Sequence, residues 1–313
     1  MLSGYVLASQ ILFCVAEAKP KAFIIFLVRR WMRTVPAYVV ALVVISVLFG
    51  ELGSSDFCMY LGYVQNLFRQ STQTDYFSVA WSLSVEEWFY VGFPSLLLAA
   101  AALTGQRNIK SALAVAVTFL AAVALARFWF GDFSDWGAEV RRVVIYRIDS
   151  IAYGFLLYLL VQHLVPAYFA RLSFPAVTAF LVTSTILVFW ASAAISKHDS
   201  FLAKQLFPWL AALFGSGCIL LALKMERAVA SRGWLADICL FGGRISYSVY
   251  LFHMIFLIVL GSIQLAQPTI FRFVAYVAIV ALFAALFYWS FEKPLLLARP
   301  RLAVAMRSAR SLG

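Results

Sequence analysis

Charge is scarce in this sequence. Of its 313 residues, 12% are Asp, Glu, Lys or Arg, whereas a soluble domain carries about 25%. A chain so poor in charge cannot cover itself with polar surface. That excludes an ordinary soluble globular protein, although the length alone would suit about two soluble domains. Histidine and cysteine are few as well. The three histidines (His163, His198, His253) lie far in sequence from the four cysteines (Cys14, Cys58, Cys218, Cys239), and no CxxC pair occurs. Neither a disulfide framework nor a metal site is expected from such spacing. Internal repeats and low-complexity stretches are also missing.

What the chain has in excess is apolar sequence, 64% of it. A helix crosses the hydrocarbon layer with about 20 mostly apolar residues. Runs of that kind are expected to span near 36–52, 84–104, 111–130, 144–163, 174–195, 205–224, 239–261 and 269–291, with a shorter apolar piece at 1–16. The expected fold is all-α: a polytopic transmembrane helix bundle of about eight full spans plus one short N-terminal span. It forms a single membrane-embedded domain over residues 1–313.

The formal net charge is +11. In a soluble protein that excess would suggest nucleic acid. Here the positives gather in short loops between apolar runs, which is how membrane orientation is set, so the expected partner is membrane lipid and not nucleic acid. Lys19, Lys21, Arg107, Lys110, Arg171, Lys224, Arg232 and Lys293 share one side with the C-terminal arginines. Arg69, Arg141, Arg142, Lys197 and Lys204 fall on the other. The richer side is expected to be cytoplasmic, with the C-terminus there and Met1 outside. Residues 1–16 lack the charged start and small-residue cleavage site of a signal peptide. A further helix upstream of Met1 is therefore expected.

Ionisable residues inside apolar spans are costly, about 2.5–3.5 kcal/mol at the bilayer centre, and mark function by default. One group is Trp81-Ser82-Leu83-Ser84-Val85-Glu86-Glu87-Trp88-Phe89-Tyr90 together with Tyr146-Arg147-Ile148-Asp149-Ser150. Both stretches start near the outer ends of their spans. Glu86 and Tyr90 are four apart and share a helix face, whereas Arg147 and Asp149 are two apart and must seek partners elsewhere. Two readings stand: an interhelical ion-pair network joining Glu86 or Glu87 to Arg147, or an outward-facing polar pocket. A second group, Arg29, Arg30 and Arg33, forms one basic face just before Pro36. It is either an orientation signal touching anionic headgroups or a phosphate clamp, since Arg binds phosphate bidentately. A third stretch, Gly242 to His253, puts Ser246, Tyr250 and His253 on one polar stripe at i, i+4 and i+7. His253 is a packing residue or a general base able to titrate near neutrality. Arg244 lies toward the inner end of the same helix.

In order along the chain stand Ser3-Gly4-Tyr5, RRxxR before Pro36, WSLSVEExFY (Trp81 to Tyr90), YRIDS (Tyr146 to Ser150), GRISYSxYLxH (Gly243 to His253) and FEKP (Phe291 to Pro294). This set resembles the acyltransferase-3 family, bacterial multi-pass membrane O-acyltransferases that modify cell-surface sugars. The resemblance implies transfer of an acyl group, commonly acetyl, from cytosolic acyl-CoA (acetyl-CoA) to a hydroxyl of a carbohydrate or glycolipid acceptor. It implies an inner-membrane location and no permanently bound cofactor. It places Arg30 and Arg33 on the CoA phosphates, with Arg29 and Arg244 beside them. It also implies a first helix carrying an Arg and a His, the latter the expected base; Met1 to Tyr5 matches the start of the second helix instead. Without that helix the catalytic candidates of the printed chain are His253, Glu86 and Glu87. Trp81, Ser84, Tyr90, Arg147, Asp149, Ser246 and Tyr250 would bind the acceptor or hold the helices in register. The rival expectation is a transporter of glycans or small molecules, or an inactive relative, because intramembrane charges also line transport paths.

Overall fold

The computed structural model describes residues 1–261 and 269–300, apart from the side chains of Arg227 and Thr269. Every element among the described residues is helical. Nine long helices carry the fold: α1 (Leu2–Glu17), α2 (Pro20–Phe49), α3 (Ala80–Thr104), α4 (Ile109–Phe130), α5 (Val144–Leu164), α6 (Phe174–His198), α7 (Phe201–Ala230), α8 (Gly233–Gly261) and α9 (Thr269–Phe287, continued to Leu297). Eight are long and apolar enough to cross a bilayer, and α1 is the shorter apolar helix. The expected polytopic bundle is thus the observed one.

Local chemistry sets the helix starts. Pro20 opens α2 at a position where its missing N–H costs nothing. Asn108 caps α4 by accepting from the Ser111 amide at 2.8 Å, and Ser173 caps α6 through the Ala176 amide. One boundary corrects the sequence expectation. The span near 36–52 is the second half of α2, which begins at Pro20 and runs unbroken through Pro36. A proline tolerated inside a membrane helix and three arginines hid the first half from the apolar count. Arg30 consequently lies about 15 Å along the helix axis from Pro20 at 1.5 Å per residue, and not at its start.

Two large apolar clusters build most of the interior among the described residues, beside a small third one around Val140, Val143 and Tyr146. The first joins α1, the Phe26–Leu27 end of α2, α3 from Val85 to Ala101, α4 and α5. The second joins α2 from Ala37 to Ile45, α3 up to Leu83, Tyr60, Tyr76 and Phe77 of the α2–α3 connection, and Leu251, Phe252 and Ile255 of α8. α2 passes from one cluster to the other between Leu27 and Ala37. α3 does so between Leu83 and Val85. Arg29, Arg30, Arg33 and Thr34 of α2 and Ser84 of α3 occupy that handover, with Ser82, Glu86 and Glu87 flanking it.

Close backbone approach fixes α1 against α5. A Cβ built on Gly4 would run into the Ile151 carbonyl, and one on Gly154 would run into the Met1 carbonyl. Two glycines facing each other's backbones are the small-residue contact by which membrane helices associate without a hydrophobic driving force. On the loop-rich side, the 50–79 connection is pinned by buried Asn66. Its side chain donates to the carbonyls of Trp81 and Arg142, and its own carbonyl accepts from the Val144 amide at 2.9 Å.

Candidate functional site

At the seam between the clusters lies a cavity of about 350 Å³. Four helices line it: α1 with Leu2, Ser3, Val6 and Leu7; α2 with Arg30, Arg33 and Thr34; α3 with Ser82, Leu83, Glu86 and Tyr90; α8 with Ser246, Tyr247 and Tyr250. The basic face and the acidic motif, two separate groups in the sequence, therefore meet in one space. The reason is the unbroken α2, which carries the arginines to the middle of the bundle.

Glu86 accepts from Ser3 Oγ at 2.7 Å and from Tyr90 Oη at 3.0 Å. The neighbouring Glu87 points around the helix toward α2. Its Oε1 accepts from Thr34 Oγ1 at 2.6 Å, and both side chains are buried. Thr34 also offers its carbonyl to Tyr247 Oη at 2.7 Å. On the α3–α8 side, Ser82 and Tyr250 share a hydrogen bond, and Tyr250 Oη donates to the Val79 carbonyl. Ser84 accepts from Gln65 at 2.6 Å, and Trp81 receives Asn66 at its carbonyl. The acidic motif is thus braced on three sides before any ligand arrives.

The cationic side is larger than the sequence suggested. Arg29 donates to the Pro300 carbonyl, and Arg299 joins Arg29, Arg30 and Arg33 in one electrostatic neighbourhood. Burial, with Arg29 and Arg33 beside it, pushes the Arg299 guanidinium below its ordinary value. The carboxylate of Glu292 lies within electrostatic reach of Arg33. It sits in a π-turn (Tyr288–Glu292) and accepts from Ser248 of α8. Four arginines meet fewer carboxylates here, so the neighbourhood favours an anion.

Other sequence candidates fall elsewhere. Arg147 pairs with neither Glu86 nor Glu87, which corrects that reading. The ion pair of this region is Arg127 Nη1 to Asp149 Oδ2 at 3.0 Å, with side chains 1% and 0% exposed. Arg127 also donates to the Tyr146 carbonyl at 2.7 Å. Nε and Nη1 of Arg147 are buried without a hydrogen-bond partner. Arg244 is exposed and does not line the cavity. His253 stands one turn beyond Tyr250, with Nδ1 2.7 Å from the Tyr250 carbonyl, and it too lies off the cavity wall. Of the α8 stripe, Ser246 and Tyr250 reach the cavity. Sequence reasoning missed Thr34, Ser82, Tyr247 and Arg299. Thr34 and Ser82 fall on the faces of Arg30 and Glu86 at four-residue spacing, a signal that was available; the approach of Arg299 had none.

No curated protein and no solved structure matches the chain. A family model described as an acyltransferase domain matches residues 1–289. That stretch contains α1 to α8, and with them every wall of the cavity. On this match, the chain belongs to the acyltransferase-3 family of membrane proteins.

Proposed function

We propose that the protein moves an acyl group from acyl-CoA, with acetyl-CoA the common donor, to a hydroxyl of a cell-surface carbohydrate or glycolipid in the cytoplasmic (inner) membrane of a bacterium, its C-terminus in the cytoplasm. The observation that carries the reading is the cavity that faces Arg30 and Arg33 with Glu86. The arginine neighbourhood, with Arg29 and Arg299 behind it, suits the CoA phosphates. Glu86 is the carboxylate that lines the cavity among the described residues, and it accepts the proton of the attacking hydroxyl. The hydroxyl oxygen bonds to the thioester carbonyl carbon, the C–S bond breaks, and the thiolate leaves with the proton that Glu86 returns. General-base help of this kind is worth about 10²–10⁴-fold. Ser82, Ser246 and Tyr250 offer hydroxyls for the acceptor sugar. Glu87 holds α2 to α3 through Thr34 and so positions Arg30.

The test is thiol release from acetyl-CoA by the purified protein with a bacterial membrane glycan extract as acceptor. Arg30→Ala and Arg33→Ala are expected to raise KM for acetyl-CoA, and Glu86→Gln to lower kcat with KM little changed. Turnover with unaltered KM in both arginine variants would overturn the phosphate assignment.

A further inference from the structure

A second cleft, of about 440 Å³, opens between α4 and α7, away from the cavity just described. Ala121, Ala124, Leu125, Arg127 and Phe128 form one wall; Gln205, Leu206 and Trp209 form the other. Its volume lies within the range of small-molecule pockets. The α4 wall runs about 10 Å along the axis at 1.5 Å per residue. The alanines lie toward mid-span and the polar residues toward the helix ends at Phe130 and Phe201. Exposed Phe128, Trp129, Phe130 and Phe201 ring that end, as aromatic side chains do at headgroup level. The cleft thus has the polarity profile of a lipid: apolar toward the bilayer centre, polar at the interface.

Two donors in its walls lack acceptors. Nε2 of Gln205 and Nε of Arg127 are buried with no hydrogen-bond partner. Arg127 is not free to turn away, because its Nη1 is committed to Asp149 and the Tyr146 carbonyl. An unmet N–H shielded from water is costly. The acceptor that a bilayer supplies at this depth is the ester carbonyl at the head of an acyl chain. We propose that this cleft is a binding site for one phospholipid acyl chain, its ester carbonyl accepting from Gln205 and Arg127 and its methylenes lying along Ala121, Ala124 and Trp209. The inference is independent of the acyl-transfer chemistry proposed above.

The experiment uses the full chain in phosphatidylethanolamine vesicles doped with a phosphatidylethanolamine that bears a diazirine in one acyl chain. After irradiation, labelled peptides are mapped by mass spectrometry. Labels are expected to concentrate on residues 121–128 and 205–209. Gln205→Leu, close in size, is expected to lower that labelling about fivefold, the effect of one neutral hydrogen bond. Ala124→Leu, which fills the floor, should abolish it. Labels spread evenly along the exposed faces of α6, α7 and α9, and insensitive to Gln205→Leu, would show annular lipid only and overturn the site. A diazirine alkane that labels the cleft as well as the phospholipid does would overturn the carbonyl assignment. Should Ala124→Leu fail to fold, Gln205→Leu and the alkane still decide the matter.

Discussion

Thr34 and Glu87 join α2 to α3 by a 2.6 Å hydrogen bond at the middle of the bundle. The bond lies one turn from Arg30 on α2 and one residue from Glu86 on α3, so it couples the positions of the two charged walls. Thr34→Val keeps the shape and removes the donor. It is expected to destabilise the protein by about 0.6–1.7 kcal/mol, the range for interhelical hydrogen bonds in membranes, and Thr34→Ser to recover it. Thermal unfolding in detergent measures both; a Val variant as stable as the parent would refute the coupling.

Asp149→Asn or Arg127→Met, made alone, leaves one buried charge uncompensated. Each is expected to cost about 3–5 kcal/mol and to reduce the yield of folded protein. The double variant Arg127→Met/Asp149→Leu is expected to regain part of that loss, because the paired charges leave together while buried Arg147 loses the field of Asp149. Size-exclusion profiles and melting points of the three variants check the pattern. Equal damage in Arg127→Met and in the double variant, with Asp149→Asn little affected, would mean that the bond to the Tyr146 carbonyl, and not the ion pair, matters most.

Gly154→Ala places a methyl against the Met1 carbonyl and the Tyr5 amide. Forced separation of α1 from α5 is expected to cost about 1–3 kcal/mol, as overpacking does. Gly92→Ala serves as the control, since its Cβ would meet nothing within 4 Å. Comparable melting points for the two variants would contradict the close-contact reading.

Arg299→Ala is expected to weaken acetyl-CoA binding in the same direction as Arg30→Ala and Arg33→Ala, and to flatten the salt dependence of that binding. A guanidinium that contributes to a shared field is screened by added salt, and its loss reduces what salt can screen. Isothermal titration at low and high ionic strength measures it. An unchanged salt slope would remove Arg299 from the site.

Apolar run length carried much of the fold. The span of α3 near 84–104 and that of α4 near 111–130 emerged within a few residues because nothing charged interrupts their middles. α2 did not, because Arg29, Arg30 and Arg33 fall where an apolar count expects a boundary, whereas arginine is a good helix former and the helix runs on through all three, with Arg30 and Arg33 at the cavity. The candidate site was legible as a set of residue types but not as a geometry. Arg147 and Asp149 were marked as seeking partners on other helices, yet choosing Arg127 as the partner of Asp149 requires knowing that α4 packs on α5. His253 looked equivalent to Tyr250 on a helical wheel. One turn of rise separates them, and that turn decides which reaches the cavity.

The two apolar clusters consist of different segments joined through α2 and α3. The Thr34–Glu87 bond and the Tyr247 bond to the Thr34 carbonyl tie them together at their junction. The walls that carry Arg30 and Glu86 therefore belong to the same two helices that hold both interiors together. A ligand in the cavity touches the part of the fold that both interiors share.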